Sequence, residues 1–173
     1  LRKAQDVINL PVIDVSTGKQ RGTVKDLVLD SNLQVLGMIV DRRNWFSAAR
    51  FLPWEDILAI GTDAVTIAGV QVLRSLEEWK NTGTLLSGER RMKGLPVITR
   101  DGRQLGMVED VYFGQELGTK IVGYELTQGL IDDLQEGRKW LPAGEAILFG
   151  DDAVIVPAEY AEQLKETKPS HYE

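Results

Sequence analysis

Phe51-Leu52-Pro53-Trp54-Glu55-Asp56-Ile57-Leu58-Ala59-Ile60-Gly61-Thr62-Asp63-Ala64-Val65 comes back as Trp140-Leu141-Pro142-Ala143-Gly144-Glu145-Ala146-Ile147-Leu148-Phe149-Gly150-Asp151-Asp152-Ala153-Val154. Both stretches read Leu-Pro, a short polar step, an apolar run and Gly-x-Asp-Ala-Val. Every match stands about 89 positions from its partner, so no gap is needed. Agreement of this length marks an internal duplication: one module is written twice.

Upstream of Leu-Pro the match continues. Leu10-Pro11-Val12-Ile13 and Leu95-Pro96-Val97-Ile98 read as strands, and Ser16-Thr17-Gly18-Lys19 and Arg100-Asp101-Gly102-Arg103 as the turns that close hairpins. Next come Gly22-Thr23-Val24-Lys25-Asp26-Leu27 and Gly106-Met107-Val108-Glu109-Asp110-Val111. In both, the apolar parity breaks between the first valine and the residue after the aspartate. A strand with one buried face changes parity only through a bulge or sharp bend. Asp26 and Asp110 are therefore expected at a bend, binding a neighbouring backbone N–H; the competing reading is a pair of catalytic carboxylates. Val35-Leu36-Gly37-Met38-Ile39-Val40 and Ile121-Val122-Gly123-Tyr124-Glu125-Leu126 are apolar strands around a shared glycine, which implies close approach or sharp curvature. Glu125 in place of Ile39 predicts a wetter face in the second copy.

The Leu-Pro segments supply short strands at 57–60 and 64–67, and at 147–149 and 153–156. Ser75-Leu76-Glu77-Glu78 has capping-box spacing and predicts a short helix; Pro157 to Lys165 predicts a terminal one. The fold class read from this is mainly β: two tandem small β-barrels, each followed by a short α-helix. The expected division is a first barrel at 1–80, a linker at 81–88, a second barrel at 89–166 and a flexible tail at 167–173. Modules of about 80 residues sit near the lower size limit for an independent core, so the halves are expected to lean on each other.

This order of motifs, found twice, resembles the PRC-barrel family over roughly residues 4–70 and 89–158. That family includes the cytoplasmic domain of the photosynthetic reaction-centre H subunit and the C-terminal domain of a bacterial ribosome maturation factor. The resemblance implies a compact barrel that serves as a protein-interaction module, with no catalytic residues common to the family. Neither the H subunit's membrane-spanning segment nor the maturation factor's N-terminal domain matches any stretch here, so neither particular role carries over.

Composition narrows the function classes. The 173 residues carry a net charge of −6, with 43% hydrophobic and 27% charged residues, ordinary for a soluble globular protein. The acidic balance argues against bulk nucleic-acid binding, which draws on a basic face. Without cysteine there is no disulfide framework or thiolate chemistry, and His171 alone assembles neither a triad nor a histidine metal site. No apolar run approaches a membrane span and no signal-peptide pattern opens the sequence, so a cytoplasmic location is expected. No nucleotide-cradling glycine motif is present, and no cofactor or metal is expected. Asp132-Asp133 and Asp151-Asp152 are read as solvated turns rather than cation ligands, and Arg2, Lys3, Arg90, Arg91 and Lys93 as solvated charge rather than a basic patch.

The copies differ most in the loop after the glycine strand. The first copy has Asp41 to Arg50, which gathers Arg42, Arg43, Trp45, Phe46 and Arg50, residue types that dominate binding hot spots. These five are the candidate partner-binding residues; the competing reading folds Trp45 and Phe46 back over the barrel mouth or against the other copy. The second copy has Thr127 to Lys139, where Leu130, Ile131 and Leu134 recur at helical spacing between two glycines. The reading is a non-enzymatic adaptor that docks a protein partner through exposed loops, with homodimerisation open. One alternative is an RNA- or ribosome-associated assembly factor. Another is an enzyme or small-ligand binder in the cleft between copies, which needs a pocket with convergent polar groups.

Overall fold

The computed structural model describes residues 2–42, 47–79, 82–114 and 121–165. The first copy contains β2 (Pro11–Asp14), β3 (Lys19–Leu29), β4 (Val35–Asp41), β5 (Arg50–Pro53), β6 (Ile57–Ile60), β7 (Val65–Ile67) and β8 (Arg74–Ser75). The second contains β10 (Pro96–Thr99), β11 (Gln104–Phe113), β12 (Ile121–Thr127), α1 (Leu130–Glu136), β13 (Lys139–Pro142), β14 (Leu148–Phe149), β15 (Val154–Val156) and α2 (Tyr160–Gln163). Two short strands lead into them, β1 (Arg2–Lys3) and β9 (Gly83–Thr84). One curled sheet runs β6-β7-β2-β3-β4-β5-β8 and the other β13-β12-β11-β10-β15-β14. The protein is mainly β, built from two half-barrel sheets of one topology.

Their registers match residue for residue. Val12 lies opposite Val65 in a parallel pair, as Val97 lies opposite Val154. The parity break is a bulge in both copies: the register slips between Val24 and Asp26, and between Val108 and Asp110. Just before each Leu-Pro, Asn9 (φ 72°) and Gly94 (φ 88°) turn the chain through the left-handed region. Each donates its N–H to the valine ahead of the bulge, Val24 and Val108, at 2.8 Å. The shared glycine answers to an aromatic ring. A Cβ on Gly37 would strike Phe51 and the Leu52 carbonyl, and one on Gly123 would strike Trp140. Phe51 and Trp140 open the Leu-Pro repeat, so the same ring covers the same glycine in both copies.

The lead strands are exchanged. β1 precedes the first copy in sequence yet pairs with β11 of the second, Arg2 opposite Phe113 and Lys3 opposite Tyr112. β9 precedes the second copy yet pairs with β3 of the first, Gly83 opposite Leu29 and Thr84 opposite Val28. Each long bulged strand is thus completed by the other copy's lead. The expected linker, 81–88, contains β9, and Leu85 and Met92 beyond it are fully buried, as are Ala4 and Val7 after β1. A single hydrophobic cluster runs through both copies.

The helices came out smaller than the sequence predicts. After the first copy, Leu76–Trp79 is one 3₁₀ turn, with the Glu77 N–H bonded to Ser75 Oγ and Trp79 stacked on Phe51 at 4.2 Å. After the second, α2 is one turn. Among the described residues, no helix is long and apolar enough to cross a membrane.

Candidate functional site

Of the five candidate residues, Arg43, Trp45 and Phe46 lie outside the described residues. Arg42 and Arg50 flank them and are half-buried. Arg50 belongs to β5, opposite Val40 on one side and Ser75 on the other. The sheet therefore fixes where the β4–β5 loop departs and returns.

The counterpart loop, between β12 and β13, is built as a small device. Gly129 and Gly137 bracket α1, whose two turns close with Asp133 N–H bonded to the Gly129 carbonyl and Gly137 N–H to the Asp133 carbonyl. Asp133 ties the helix down: its carboxylate accepts from Thr127 Oγ1 and from the Gln128 N–H at 3.1 Å. The Thr127 hydroxyl holds the Asp133 carboxyl below its ordinary value. Gln128 Nε2 donates to the Leu105 carbonyl of the neighbouring strand at 3.3 Å.

Beneath the loop lies a charged knot. Glu125, nearly buried, receives Arg138 at 2.5 Å, Lys3 at 2.6 Å and the Tyr112 hydroxyl at 3.0 Å. Burial pushes Glu125 up, but the bonds from Lys3, Arg138 and Tyr112 together outweigh it, and its pKa falls. Arg138 also reaches Glu109 at 3.5 Å and Asp133 at 3.7 Å. The substitution of Ile39 by Glu125 is thus met by a lysine from the exchanged lead and an arginine from the loop.

Asp133 fastens α1 to the barrel, while Asp132, Gln135 and Glu136 face solvent together with two of its leucines. Leu130 and Leu134, one turn apart, are each 80% exposed. An amphipathic helix on a globular domain ordinarily does the reverse. The sequence signalled the helix by the spacing of its leucines, but not which way it faces. That depends on Asp133 and Arg138 finding partners on other strands.

The remaining charge candidates are dispersed. Arg90 pairs with Asp151 at 3.2 Å and Lys93 with Glu109 at 3.2 Å, while Arg2 donates to the Gly61 carbonyl at 2.6 Å. These cations meet acidic or carbonyl oxygens and do not pool into one patch. Among the described residues, no group of three or more His, Asp or Glu side chains is placed to hold a metal ion.

Asp26 and Asp110 sit at the bulges with backbone N–H groups as partners. Asp26 is wholly buried and accepts from the N–H groups of Leu27 at 2.8 Å, Leu86 at 2.9 Å and Ser87 at 2.8 Å, and from Ser87 Oγ at 2.6 Å. Asp110 accepts from Val111 N–H at 2.8 Å and Gln5 N–H at 3.4 Å. Each carboxylate grips the exchanged lead. Being 1% exposed and with fewer donors, Asp110 is pushed up by burial to about 6.

The PRC-barrel domain model matches the chain twice, over residues 2–74 and 89–163. The chain is also similar to the uncharacterized protein YrrD of Bacillus subtilis (strain 168), with 28% identity over 150 residues, 86% of this chain and 82% of that protein. The two matched segments coincide with the two sheets and their shared bulges, and the chain belongs to the PRC-barrel domain family, with two tandem domains.

Proposed function

We propose that this chain is a non-enzymatic adaptor that docks a protein partner through the β4–β5 and β12–β13 loops. The observation that carries the reading is the outward face of α1. Leu130 and Leu134 hold exposed apolar area that an isolated domain gains nothing by displaying, on a helix held through Asp133 to Thr127, Gln128 and Arg138. The β4–β5 connection joins the equivalent strands of the other copy and its sequence carries the aromatic and arginine residues Arg42, Arg43, Trp45, Phe46 and Arg50. Rigid strands hold both loops, an arrangement suited to recognition.

A photo-reactive residue at Leu134 tests this in the source organism. The expected result is a discrete crosslinked species of higher mass, absent when Leu130→Ser is added and reduced by Arg42→Ala or Trp45→Ala. A crosslink to a second copy of this chain would recast the surface as a dimer interface. RNA retained in a filter assay near physiological salt, with no protein crosslink, would overturn the reading.

A further inference from the structure

The two copies do not fill their mutual boundary equally. On one side, Trp54 of the first copy packs edge-on against Phe113 of the second, with ring centroids 5.6 Å apart at 86°. Trp54 follows Leu52-Pro53 in the repeat, and its counterpart after Leu141-Pro142 is Ala143. Leu29 stands where Phe113 stands, at the end of the bulged strand. On the opposite side of the pseudo-symmetric pair, then, an indole and a phenyl ring are replaced by a methyl group and a leucine. A cavity of about 440 Å³ opens there, between the turn at Asn32–Gln34 of the first copy and Ile121, Tyr124, Ala143 and Ile147 of the second.

We propose that this cavity binds a planar aromatic small molecule of indole size, neutral or cationic. Its volume falls in the range of ligand pockets, roughly 300–1,000 Å³. Leu33, Ile121, Tyr124 and Ile147, all buried, make an apolar floor. Asn32 and Glu145, both exposed, bring an amide and a carboxylate to the mouth, and among the described residues no lysine or arginine lines the site. The opposite side of the boundary shows what the pair accommodates: an indole against an aromatic ring. Tyr124 adds a buried hydroxyl that has no hydrogen-bond partner among the described residues, and a polar atom on the guest offers it one. The site is separate from the loops assigned to partner docking, so either assignment can fail alone.

Titration of the full chain with indole, tryptamine and indole-3-acetate, followed by two-dimensional amide NMR at up to about 5 mM, tests the assignment at the affinity expected of fragments. Shifts are expected at Leu33, Ile121, Val122 and Gly144 with tryptamine and indole, and weaker ones with the anionic acetate. Ala143→Trp restores the side chain that the first copy carries and should abolish the shifts. Glu145→Lys changes only an exposed residue, so the fold is retained; it should weaken tryptamine by about threefold or more and favour the acetate. Absence of shifts with all three compounds, unchanged binding in a folded Ala143→Trp protein, or a preference for the acetate in the parent chain would each overturn the proposal.

Discussion

Asp26 and Asp110 occupy the same bulge and hold the same kind of segment, yet their environments lead to opposite expectations. Asp26 gathers three backbone N–H groups and a hydroxyl in a site closed to solvent. Asp26→Ala leaves those donors without an acceptor and should destabilise the chain by about 3 kcal/mol, read as a lower urea midpoint at unchanged slope. Asp110 has fewer donors, and burial lifts it from an ordinary 3.8 to about 6. A raised carboxyl binds its proton more tightly in the folded state. Between about pH 4 and 6 the unfolded chain ionises first, so this group's contribution falls as pH rises and levels off above 6. Asp110→Asn cannot ionise. Its stability relative to the parent should therefore grow across that window, by on the order of 2 kcal/mol, and stay level above it. A difference that shrinks or stays constant between pH 4 and 6 would show that Asp110 is not so perturbed.

At the scale of elements, the bulged strands and the exposed leucines of α1 show what the sequence discloses and what it withholds. The odd apolar step from Val24 to Leu27, repeated from Val108 to Val111, located both bulges because strand parity is local and breaks only at a bulge or a sharp bend. The recurring glycine pointed to close approach, and the approaching group is the aromatic that opens each Leu-Pro repeat. The exchange of β1 and β9 was not legible. A lead of two paired residues leaves no periodic signal, and its partner lies far along the chain. The facing of α1 was equally hidden, since its leucine spacing is the same whether the stripe points in or out. Being 80% exposed, Leu130 and Leu134 contribute little to the fold. Leu130→Ser with Leu134→Ser should leave stability within about 1 kcal/mol, where a buried pair would cost several. A drop of several kcal/mol in urea unfolding would place the leucines in the core.

Across the whole molecule, the exchanged leads interlock two small modules, which should therefore unfold as one. Neither sheet is complete without a segment that precedes the other copy, and Leu85, Met92, Ala4 and Val7 carry that exchange into a common core. Burying a leucine and a methionine from one lead alone stabilises by roughly 2 kcal/mol each, a large share of what holds a module of this size. Trp54 against Phe113 adds an aromatic contact between the copies. The duplication was plain in the sequence, but the interdependence of its halves appears only once the strands are paired. Deuterium exchange followed by mass spectrometry across a urea titration reads this interdependence directly, through peptides from β3 and from β11. One shared midpoint for both strands is the predicted result, and two well-separated midpoints, one per copy, would contradict the account.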